Sequence, residues 1–110
     1  MKIIYQSTTD KAEIRKALST DVAIKDFVGE TLTVTGILTY EKEETDKVTT
    51  LYVVNTEEHG WCFTNSNTVK DVLDVIILTS EQEDIEAGIE VDMKTSKSGK
   101  GRDFYFLEIK

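Results

Sequence analysis

The chain has 110 residues, with 13 basic against 21 acidic side chains and a formal net charge of −8. That length suits one domain, and 39% hydrophobic residues mark it as globular rather than disordered. The lone cysteine, Cys62, excludes an internal disulfide framework, and the acidity argues against a globally basic nucleic-acid binder while leaving a local basic patch open.

Residues 2–6 read as a short strand. Asp10-Lys11-Ala12-Glu13 has the form of a helix N-cap, and Ile14, Ala17 and Leu18 follow at helical spacing, which predicts an amphipathic helix over 11–19. Residues 20–28 show no period. Thr31 to Thr35 then alternates as a half-buried strand. Gly36 interrupts it before Ile37-Leu38-Thr39-Tyr40, as a bulge or barrel bend does. A charged turn is expected over 41–47, a strand over 48–54, a turn over 55–60 and a short strand over 61–64.

Ser66 or Asn67 can cap a helix, and Val69, Val72, Leu73, Ile76 and Ile77 form a helical stripe. The Val and Ile content leaves a buried strand over 72–79 as the alternative. Glu81 to Gly88 reads as an acidic loop, Ile89 to Lys94 as an alternating strand, Thr95 to Gly101 as a hairpin turn and Arg102 to Ile109 as the last strand.

This order predicts a mainly β fold with two helices. Its form is a five-stranded Greek-key barrel of the OB (oligonucleotide/oligosaccharide-binding) type, with one helix between barrel strands three and four. The whole chain, 1–110, is one domain, in which residues 29–110 make the barrel and 1–28 an N-terminal helical extension. A different small α+β roll is the competing architecture.

No catalytic constellation emerges. His59 and Cys62 lie on a turn and a strand, without a third orienting group. Two N/S ligands are too few for a zinc site, and the acidic run 81–92 lacks a calcium-loop spacing. Ser98-Gly99-Lys100-Gly101 fails the phosphate-loop pattern. The expectation is a non-enzymatic binding module without cofactor or metal. Apolar runs such as Val75–Leu78 are far short of a membrane span, and Met1–Gln6 is too short for a signal peptide, so a cytoplasmic location without membrane contact is expected.

Charge is segregated. Residues 81–92 carry six carboxylates and no cation, whereas 94–102 carry Lys94, Lys97, Lys100 and Arg102 and no carboxylate. The second stretch falls on the loop between the last two strands, which borders the ligand face in OB folds. Lysines there neutralise phosphates, although a solvated hairpin tip has the same composition. On the last strand Phe104 and Phe106 share a face with Arg102, a platform on which bases can stack unless a helix covers it. Tyr40 and Tyr52 are further candidates, with Tyr52 opposite Leu51 and Val53. Trp61 and Phe63 share one face of their strand and Cys62 the other; which pair faces outward stays open. The acidic turn with Glu41, Glu43, Glu44 and Asp46 repels phosphate, which favours a site toward the basic loop.

Together, Thr39-Tyr40 through Val48–Leu51, the Gly60 turn before Trp61-Cys62-Phe63, the following helix, and Thr95–Lys100 leading into Phe104-Tyr105-Phe106 resemble a known family. The pattern, over residues 26–109, is similar to small single-stranded DNA-binding proteins of bacteriophages, including those of protein-primed phages of Gram-positive bacteria. The resemblance implies an OB fold and binding of single-stranded DNA with little sequence preference. It also implies coating of strands during phage replication or recombination in the host cytoplasm. It points to Lys97, Lys100, Phe104 and either Tyr105 or Phe106. The acidic turn and the short C-terminus depart from many members. Replication or recombination proteins and a second copy of the chain are the further partners it leaves open. The rival reading is an acidic protein-interaction module, such as a DNA mimic or an inhibitor of a host protein. An OB module for RNA or oligosaccharide is a third.

Overall fold

The computed structural model describes residues 2–97 and 103–110. Its elements in order are β1 (Lys2–Gln6), α1 (Lys11–Ser19), a 3-10 helix (Ile24–Phe27), β2 (Thr31–Glu44), β3 (Lys47–Thr56) and β4 (Gly60–Thr64). They continue with α2 (Asn67–Thr79), α3 (Gln82–Ala87), β5 (Ile89–Lys97) and β6 (Asp103–Ile109).

The strands form one antiparallel sheet in the order β4-β3-β2-β5-β6, with β1 also on β2. The 14-residue β2 is its spine. Leu32 and its neighbours pair with β5, Leu38 to Glu41 pair with β1, and β3 follows the opposite edge. The mainly β expectation holds, but the sheet has six strands and stays open, for no ladder joins β4 to β6 among the described residues. The start of α2 stands at that seam instead. Ser66 Oγ donates to the Tyr105 carbonyl at 3.2 Å, and Thr68 Oγ1 donates to the same oxygen.

Each face of the sheet carries a packed cluster. On one, Leu32, Val34, Ile37, Val54, Cys62, Val91 and Met93 pack against Leu73 and Ile76 of α2, Ile85 of α3 and Ile24. On the other, Leu38, Val53 and Trp61 meet Ala17 of α1. The register shift between Val34 and Gly36 makes this possible, since it inverts the alternation along β2 and sends Leu38 to the α1 side. Gly36 serves a second purpose there. A Cβ at this position would lie 3.2 Å from the Trp61 ring and 3.3 Å from the Asn55 Cβ, so any larger residue would push the indole or Asn55 back by a few tenths of an ångström.

Local signals explain most elements. Asp10 Oδ1 accepts from the amides of Ala12 and Glu13, as an N-cap does. Residues 67–79 are helical, so the apolar stripe outweighs the β-branched content. Three expectations are corrected. The turn over 41–47 narrows to Thr45-Asp46, because the ladder continues to Glu44 opposite Lys47, where the two charges attract. The acidic loop over 81–88 contains α3, at whose start the Glu81 amide donates to Asp84 Oδ2 at 3.0 Å and the Asp84 amide to the Glu81 carbonyl. The aperiodic 20–28 stretch contains the 3-10 helix.

Candidate nucleic-acid interface

Strand parity on the last hairpin separates its two faces. Val91, Met93 and Leu107 are buried toward α2, so Lys94, Ser96, Phe104, Phe106 and Glu108 face outward. Phe104 is 39% exposed and Phe106 is half-buried. Their ring centroids lie 5.9 Å apart at 36°. Lys94 stands opposite Phe106 in the ladder and Ser96 opposite Phe104. The aromatic pair therefore lies on the outer face beside Lys94, while the Arg102 expected to share that face falls outside the described residues.

The electrostatics of that face are mixed. Lys94 Nζ donates to Glu108 Oε2 at 2.7 Å, and Lys110 lies 3.8 Å from Asp92. The hydrogen bond and charge of Glu108 hold the Lys94 ammonium above its ordinary pKa. Such exposed pairs contribute little stability and exchange partners readily, so Lys94 can turn to a competing anion. Lys97 lies at the end of β5, described in its backbone only; Lys100 and Arg102 fall outside the described residues.

The other predicted site residues divide between two places. Tyr40 and Phe63 line a groove of about 200 Å³ beside α1, together with Ala17, Leu51 and Asn65. Burial raises the Tyr40 phenol pKa. Trp61 shares that side of the sheet but is only 7% exposed. Its Nε1 donates to Glu13 at 2.8 Å, and Thr20 Oγ1 donates to its carbonyl at 2.7 Å. The alternation that left Trp61 ambiguous is resolved by α1, which covers the indole while Cys62 enters the core beneath α2. Burial pushes the Cys62 thiol up, away from the reactive thiolate. The His59 ring stacks on Phe27 at 3.7 Å and meets Glu30 at 2.8 Å.

Tyr52 is placed otherwise than expected. The side opposite Leu51 and Val53 is the α2 side, because α1 takes the other. The Tyr52 hydroxyl donates to Asp74 Oδ1 at 2.5 Å, and the Lys70 ammonium sits 5.7 Å from its ring centroid. Burial and then Asp74 push this phenol up to about 12. Tyr52 thus ties α2 to β3 through its hydroxyl.

Sequence reasoning passed over a second feature. A cleft of about 240 Å³ opens at the seam between β4 and β6, with Phe63 and Tyr105 on its walls and Lys25 and Asn65 among its lining. No alternation pattern reports a gap between strands that fail to pair. The nearest signal was Tyr105 itself, an aromatic on the inward face of an edge strand.

Among the described residues no group of three or more His, Cys, Asp or Glu side chains converges as a metal site, and no helix is long and apolar enough to cross a membrane. Comparison with protein-family models, curated proteins and solved structures gave no match.

Proposed function

We propose that this protein binds single-stranded DNA with little sequence preference, on an OB-type barrel left open at one seam. In this role it coats strands exposed during replication or recombination. The observation that carries the reading is the outward Phe104–Phe106 pair beside Lys94, on the two strands that flank a stretch of sequence holding Lys97, Lys100 and Arg102. Aromatic faces stack on any base, and cations follow the phosphates.

The strand order supports it. If β2 is taken as the first barrel strand, the sheet order β4-β3-β2-β5-β6 with α2 between β4 and β5 is compatible with such a barrel. Such barrels bind on the face of strands two and three, here β3 and β4, bordered by the loops between strands one and two and between four and five. Here α1 covers part of that face, and Glu41, Glu43, Glu44 and Asp46 flank the first loop. Both effects move the ligand toward the β5–β6 hairpin.

Fluorescence anisotropy of a labelled oligothymidine tests this with Phe104→Ala. One stacked base is worth about 1–3 kcal/mol, so Kd rises roughly 5- to 150-fold while the fold persists, because Phe104 is exposed. Wild-type binding with an unchanged Phe104→Ala affinity would move the site off this platform.

One observation favours the acidic interaction module as a second reading. Leu78 is 83% exposed and Val75 is 49% exposed on α2, within a stretch, 71–93, that holds no Lys or Arg. On this reading the protein captures a basic partner and ignores oligonucleotides.

A further inference from the structure

The seam where a closed barrel would join β4 to β6 is a cleft of about 240 Å³. Phe63 of β4 stands on one side and Tyr105 of β6 on the other. The fully buried Val69 and Met93 line its interior, and the exposed Lys25 and Asn65 stand at its rim. Pockets for drug-sized molecules run about 300–1,000 Å³, so this one suits a single ring system.

We propose that the cleft takes one base of the bound strand, held between Phe63 and Tyr105. This rests on the single-strand reading above and adds a subsite to it. Two aromatic rings line the cleft, and its apolar interior lets a heterocycle shed water without burying a charge. At the rim, the Asn65 amide has both a donor and acceptor for a base edge, and the Lys25 ammonium suits the adjoining phosphate. The fold links this cleft to the outer platform. Because β6 ends the sheet, Phe104 and Phe106 on its outer face and Tyr105 on its cleft face border the same edge. A strand following that edge meets both.

The chain supplies its own probe. It has two methionines, and Met93 lines the cleft. Methyl-13C methionine labelling of the full chain gives two signals, and Met93→Leu assigns them. Oligothymidine is titrated in, with anisotropy followed in parallel. A base in the cleft moves the Met93 signal by its ring current. Tyr105→Leu, which keeps apolar bulk and removes the flat face, then weakens binding roughly 5- to 150-fold. Phe63→Leu repeats the test from the opposite wall if Tyr105→Leu fails to fold. Wild-type binding with an unmoved Met93 signal and unchanged affinity in the folded variant overturns the cleft subsite and leaves the single-strand reading intact. No oligothymidine binding by the wild type overturns both.

Discussion

Replacing Tyr52 with phenylalanine isolates the contact that ties α2 to the sheet. The Tyr52 hydroxyl donates to the Asp74 carboxylate at 2.5 Å in a half-buried site. A hydrogen bond to a charged group contributes about 1.5–3 kcal/mol, and partial exposure places this one toward the lower end. Tyr52→Phe is therefore expected to lose about 1.5–2 kcal/mol near neutral pH, read as a lower urea midpoint at constant slope. The pH dependence gives a sharper check. Burial, then Asp74, raise this phenol from 10.0 to about 12 in the folded state. A raised pKa means that folding favours the neutral form. The contribution is full below pH 10 and is lost as pH climbs through about 12. The gap between wild type and Tyr52→Phe should narrow across that window, while other tyrosines and lysines titrate equally in both proteins. Equal stability near neutral pH, or a gap that stays constant through the window, would refute the assignment of Tyr52 to the α2 contact.

Three further perturbations follow from the same geometry. Gly36→Ala should lower stability by about 1–3 kcal/mol in urea denaturation, since its Cβ would crowd the Trp61 ring at 3.2 Å. Glu13→Ala should cost about 1–3 kcal/mol by stranding the Trp61 Nε1 and should shift the emission of this single tryptophan to longer wavelength as α1 loosens. Lys97→Glu combined with Lys100→Glu should weaken oligothymidine binding and flatten the plot of log K against log salt by roughly 1.4, about 0.7 per lost phosphate contact, without a change in melting temperature.

The elements written in local chemistry were legible. Asp10 and its i+3 carboxylate marked α1, the Val69–Ile77 stripe marked α2, and the break at Gly36 marked the bulge in β2. The outward parity of Phe104 and Phe106 was legible too, because Glu108 on the same face has to stay wet. What needed the structure was the number of covered faces. Alternation separates the two faces of a strand but does not say that α1 and α2 occupy both. Hence Trp61 remained ambiguous, and the side opposite Leu51 and Val53, where Tyr52 was a site candidate, is the one α2 packs against. The open seam at Phe63 and Tyr105 was equally silent, because it reflects an interstrand ladder that does not form. α3 was silent for another reason, since Glu81 is not one of the residue types that mark a helix N-cap.

The most direct test of single-strand binding compares labelled oligothymidine with a duplex of equal length by anisotropy, at about 50 and about 200 mM salt. The wild-type protein should bind the single strand in preference to the duplex and lose affinity as salt rises, because displaced counterions drive the phosphate contacts. Since Trp61 lies under α1, its emission should change little as the strand binds. No anisotropy change at the lower salt, or equal affinity for duplex and single strand, would contradict the account and turn attention to a basic protein partner for the Val75–Leu78 face.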